Sequence, residues 1–139
     1  MGPSPLENLV EVGKLTVARR SAAEIETLIQ KSVGLLQDAR QRTLTPMSRF
    51  MLTYGAAHGL ALAVLWRRGY RSEDRYTVFA CLPHTTTLDG ISQRTLVSAH
   101  RARNQMEYEA EDLVSEKLIE SLTQATETLS RIVQEESPR

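Results

Sequence analysis

Apolar residues recur every three to four positions along most of this chain, and short breaks rich in Thr, Pro and Gly separate the recurring segments. That rhythm marks helices that bury one face. Ser4-Pro5-Leu6-Glu7 opens with a capping serine, a proline at the first helical position and a glutamate three residues after the cap, which predicts a short helix to about Val12, closed by Gly13. The linker GKLTVARR leads to a second capping box, Ser21-Ala22-Ala23-Glu24, followed by Ile25, Leu28, Ile29, Leu35 and Leu36 at helical spacing. This helix is expected to reach about Arg42, because Thr43-Leu44-Thr45-Pro46 follows and the residue before a proline disfavours helix.

Thr45 and Pro46 then start the longest apolar segment, with Phe50, Tyr54, Ala57, Ala61, Val64 and Leu65 on one stripe, and the core is expected to centre there. Small residues along it (Gly55, Ala56, Ala57, Gly59, Ala61, Ala63) admit a close neighbour; each glycine costs about 1 kcal/mol of helix propensity relative to Ala, a cost that points to tight packing. Trp66, Arg67 and Arg68 end the helix before the natural cap Gly69. Ser72-Glu73-Asp74 begins another helix, with Tyr76, Val78, Phe79 and Leu82 as its apolar contacts and Pro83 as its close. His84-Thr85-Thr86-Thr87 connects to a helix capped by Asp89 or Ser92 that carries Ile91, Leu96, Val97 and Met106. Leu113, Leu118, Leu122, Ala125, Leu129 and Ile132 stripe the final helix. No strand or hairpin pattern appears. The prediction is an all-α, up-and-down bundle of four to five helices with a short extra N-terminal helix. It forms one domain over residues 1–139, divided into an arm at 1–20, the bundle at 21–133 and a frayed tail at 134–139.

Composition changes this picture little. Aromatics are 5% and Leu and Ala supply most of the apolar volume, which suits packed helices better than sheets. Seventeen basic residues balance seventeen acidic ones, so the surface as a whole is not a nucleic-acid footprint. The halves differ: residues 1–70 hold nine Lys and Arg against five Asp and Glu, and residues 71–139 hold eight against twelve. Attraction to RNA would therefore be local. One cysteine, Cys81, excludes an internal disulfide; no apolar run approaches the ~20 residues of a membrane helix, and no signal segment opens the chain, so a cytoplasmic protein without membrane contact is expected.

The chemistry concentrates between Leu88 and Ala110. His100, Arg103 and Glu107 follow one another at about one helical turn, with Asn104 and Tyr108 in the adjacent row. Such a stripe serves as a solvated face, as a buried hydrogen-bonded network, or as a cleft in which Arg103 forks a phosphate while Asn104 and Tyr108 donate hydrogen bonds. His58 lies on the most apolar helix, where a packed histidine bonded to a neighbour is the simpler reading and a place in the same cleft the sharper one. Cys81 and His84 have a zinc-like spacing with no second pair, so neither a metal nor a cofactor is expected. Arg67, Arg68, Arg71 and Arg75 are the densest basic cluster, read as a solvated helix junction.

The segment TYGAAHGLALAVLWRRGYRSEDRYTVFACL, followed at a distance by Arg103-Asn104-Gln105-Met106-Glu107-Tyr108, resembles the HEPN superfamily of small helical bundles over roughly residues 20 to 135. That resemblance implies a homodimer whose polar motifs face each other across a cleft, often working with a minimal nucleotidyltransferase in toxin-antitoxin or defence systems. HEPN ribonucleases carry an Arg followed four to six residues later by His, often with Asn directly after the Arg. Here Arg103-Asn104 begins the motif but Tyr108 stands where His belongs, and a phenol stays protonated at neutral pH. Arg94 and His100 have a permitted spacing without the Asn. The leading expectation is a noncatalytic HEPN-like module binding a nucleotide, RNA or a partner through His58, Arg103, Asn104, Glu107 and Tyr108. The alternatives are a metal-independent endoribonuclease using Arg94 or Arg103 with His100, whose imidazole titrates in the right range to move protons, and a structural bundle with no ligand.

Overall fold

A computed structural model of the protein describes residues 2–108 and 114–136, with the backbone alone at 107 and 108. Among the described residues are seven helices and one two-stranded ladder: α1 (Pro5–Glu11), β1 (Thr16–Val17), α2 (Ala22–Asp38), α3 (Pro46–Arg67), β2 (Tyr70–Arg71), α4 (Arg75–Ala80), α5 (Leu82–Thr85), α6 (Gly90–Tyr108) and α7 (Glu116–Glu135). The architecture is an all-α helical bundle. None of these helices is long and apolar enough to cross a membrane.

The two capping boxes form as their sequences require: Ser4 and Ser21 each accept from the backbone of a glutamate three residues on, whose carboxylate reaches back to the cap. Thr45 caps α3 by accepting from the Ser48 N–H at 3.1 Å. Along α3, Phe50, Tyr54, Ala57, Ala61, Val64 and Leu65 are all buried, and α2, α4, α5, α6 and α7 pack around this helix. The small residues have the purpose their cost suggested. A Cβ on Gly59 would fall on Ser32 Oγ and lie 3.2 Å from Ser32 Cβ, so the glycine lets α2 approach α3. Ser32 in turn donates to the Leu28 carbonyl at 2.8 Å, which satisfies its buried hydroxyl.

Several boundaries differ from the sequence reading. The second helix stops at Asp38 and not near Arg42, because the Arg40 and Gln41 amides bond three residues back, to Gln37 and Asp38, which tightens the last turn and ends the α-helical ladder. Pro83 does not close α4; Cys81 caps it, and Pro83 occupies the first turn of α5, where the missing N–H costs nothing. The linker after α1 is not featureless. Thr16 pairs with Arg71 and Val17 with Tyr70 in an antiparallel register, and the Ala18 N–H donates to the Gly69 carbonyl at 2.8 Å. Gly69 takes φ of 90°, the left-handed turn that brings the chain from the end of α3 into this ladder. On α7 the buried stripe is Ile119, Leu122, Ala125, Leu129 and Val133, with Leu118 and Ile132 at its edges; Leu113 of the expected stripe lies outside the described residues. Arg67 Nη1 donates to the Val133 carbonyl at 2.9 Å, which ties the last turn of α7 to the end of α3, and residues 137–139 of the expected tail are likewise outside the described residues.

Candidate functional site

Three helices bring the site together. On α3, Tyr54 and His58 are one turn apart on the same face, and Phe50 one turn earlier stacks on Tyr54 with ring centres 6.2 Å apart. Helix α4 is fixed at its start by Asp74, whose carboxylate accepts from the Thr77 N–H at 3.3 Å and hydroxyl at 2.6 Å. The Thr77 hydroxyl is the main reason the Asp74 carboxyl titrates below its ordinary range. So anchored, α4 lays Phe79 against Tyr54 at 5.9 Å and edge-on to His58 at 5.9 Å, and brings the Arg75 guanidinium to 5.7 Å from the Tyr54 ring centre. Helix α6 starts where Asp89 accepts from the Ser92 N–H at 2.9 Å, buries Leu96 and Ala99, and thereby turns His100 inward.

His100 is held from both sides. Its Nδ1 lies 2.9 Å from Tyr54 Oη and its Nε2 3.2 Å from Asn104 Nδ2, one turn along the same helix. With the Asn104 amide donating to Nε2, the neutral ring carries its proton on Nδ1 and donates to the tyrosine oxygen. Burial lowers the pKa of His100, aided by Arg103, Arg75 and Arg101, while Asp74 opposes the shift. His58 is lowered further, to about 4, by burial first and then by Arg75, His100 and Arg103. Both imidazoles are thus biased to the neutral form.

The Arg103 guanidinium reaches 5.8 Å from the same Tyr54 ring that Arg75 approaches at 5.7 Å. Each gains from the ring's negative face. Two cations lie over one tyrosine ring beside two histidines biased to the neutral form, with the Asp74 carboxylate also acting on His100, and the planar guanidinium fork suits a phosphate or carboxylate. Arg75 is in no ion pair among the described residues.

Of the residues singled out from sequence, His58, His100, Arg103 and Asn104 come together here. Arg94 does not: it is exposed, with Nη1 folded back beside Gly90, and six residues of helix put it about 9 Å along and roughly 240° around from His100. The side chains of Glu107 and Tyr108 lie outside the described residues. Cys81 is buried, with its thiol pKa raised by that burial, whereas the neighbouring His84 is exposed. No group of three or more His, Cys, Asp or Glu side chains converges among the described residues. The basic cluster read as one junction is split: Arg67 turns to α7, Arg71 pairs with Glu73 at 3.7 Å, and Arg75 joins the site. Tyr54 and Arg75 are the members that sequence reasoning missed. A tyrosine about one turn before a histidine on a mostly apolar helix was the available signal for the first; nothing in the sequence separates Arg75 from its basic neighbours.

An all-α bundle in which a Tyr54-His100-Asn104 chain, buried at Tyr54 and His100 and half-buried at Asn104, carries two arginines beside its tyrosine ring is the class that this geometry defines. Comparison with family models, with curated proteins and with solved structures gives no match.

Proposed function

We propose that the protein is a noncatalytic binding module of the HEPN type, whose ligand presents a phosphate group to Arg75 and Arg103 above Tyr54, as a nucleotide or an RNA end does. The convergence of two guanidiniums from different helices on one ring carries this reading. The Tyr54-His100-Asn104 chain holds the floor of the site rigid, and Asn104 and His58 supply its neutral polar lining. A homodimer and a minimal nucleotidyltransferase partner belong to the same proposal, through the resemblance of the Arg103-Asn104-Gln105-Met106-Glu107-Tyr108 segment. Tyr76, 46% exposed beside the His100 ring at 6.3 Å, offers apolar surface at the rim that a second copy of the chain would cover.

The ribonuclease alternative asks His100 to accept a proton from a ribose hydroxyl. At 8% exposure and with both ring nitrogens engaged, His100 would first have to give up Asn104. Incubating the purified protein with labelled RNA in chelator tests the choice. Full-length RNA after incubation is the expected result. Shortening by the parent protein that disappears in a folded His100→Ala variant overturns the noncatalytic reading.

A further inference from the structure

At the opposite end of α3 from its cap, the chain assembles a second basic feature. Arg19 and Arg20 close the N-terminal arm; Arg67 and Arg68 close α3, nearly fifty residues later in the sequence. The β1–β2 ladder, with its Ala18 to Gly69 bond, pins these two pairs side by side. Together with Trp66 they line a recess of ≈ 220 Å³. Arg20 lies over the indole, its guanidinium carbon 4.4 Å from the ring centre. In a chain of zero formal net charge, this concentration is local and specific to one end of the bundle.

Acids only partly offset it. Glu24 pairs with Arg20 at 3.4 Å, and Arg67 is committed to the Val133 carbonyl and Glu136. Arg19 and Arg68 are exposed and in no ion pair among the described residues. An indole with a guanidinium already stacked on it, flanked by two uncommitted arginines, fits a ligand that has both planar and anionic parts. Single-stranded nucleic acid has both: bases stack on aromatic and guanidinium planes, and the backbone meets the cations. An anionic membrane or an acidic peptide offers the charge without the ring.

We propose that the recess around Trp66, with Arg19, Arg20 and Arg68, is a second binding surface that takes single-stranded RNA by stacking and phosphate contact. It does not depend on the phosphate site at Arg75. His58 and Trp66 are about 12 Å apart along α3, so the two surfaces are separable by mutation.

Trp66 is the sole tryptophan, so its emission reports on this recess alone. The experiment titrates the full chain with a ten-nucleotide oligouridylate, following Trp66 emission together with the anisotropy of a labelled copy of the oligonucleotide. Binding is expected to change Trp66 emission and, with two or three phosphates engaged, to weaken about tenfold between 50 and 200 mM salt. The variant Arg19→Glu/Arg68→Glu, verified as folded by its melting curve, should lose at least about tenfold in affinity, whereas Arg75→Ala should keep the emission change. Binding seen by anisotropy with Trp66 silent, equal affinity in the double variant, or no binding at all overturns the proposal. Loss in Arg75→Ala with the double variant unaffected would place the RNA at the other site only. Equal quenching by anionic lipid vesicles with no preference for the oligonucleotide overturns it as well.

Discussion

The fold holds the His58 imidazole well below its ordinary range. Unfolded, it takes a proton below about 6.5; folded, burial and the nearby Arg75, His100 and Arg103 postpone this to about 4. Between these values the unfolded chain holds more protons, so stability rises with pH across the window and falls as the solution is acidified. His100, also lowered, adds in the same sense, while Asp74 contributes only below its ordinary 3.8. The melting temperature should therefore drop from pH 7 to pH 5, and the drop should shrink in His58→Gln. A drop of the same size in that variant would show that His58 is not the group responsible. At this scale the sequence was partly legible. A stripe of His100, Arg103 and Asn104 was visible from spacing alone, because one helix carries all three. Tyr54 and Arg75 were not, since their membership depends on how α3 and α4 cross α6, which no local pattern encodes.

Between elements, α2 and α3 approach closely at Gly59, and a pair of glycine substitutions separates packing from helix propensity. A Cβ at Gly34 on α2 meets nothing within 4 Å, so Gly34→Ala should stabilise the protein by roughly 0.5–1 kcal/mol through helix propensity. Gly59→Val drives methyl groups into Ser32 and should cost ~1–3 kcal/mol. Urea unfolding of both variants checks this; equal effects of the same sign would mean that α2 and α3 are not held at the observed distance. Helix starts were the most legible elements, because Ser4, Ser21 and Thr45 cap through side chains that the sequence names directly. Helix ends were less so. The end of α2 is set by backbone bonds of Arg40 and Gln41, and two-residue strands are too short for any alternation to show.

For the molecule as a whole, charge placement matters more than charge total. The formal balance conceals arginines that lie far apart in sequence and are brought together at two places, Arg75 and Arg103 beside the Tyr54 ring and Arg19, Arg20, Arg67 and Arg68 around Trp66. Helical periodicity was enough to predict the bundle, since a buried stripe on α3 leaves few ways to pack the others. It did not predict the convergence of arginines, which follows from tertiary contacts between α3, α4 and α6 and from the ladder that returns the arm to the end of α3. Calorimetric titration of the full chain with AMP at neutral pH tests the proposed phosphate site over Tyr54. Saturable binding is predicted, weakened at least about tenfold in Arg75→Ala, the loss of one charge-assisted contact, and unchanged in Arg94→Ala, whose side chain is exposed and folded back beside Gly90. AMP binding that survives Arg75→Ala undiminished, or that is absent from the parent protein, would mean that Arg75 and Arg103 do not form a phosphate site.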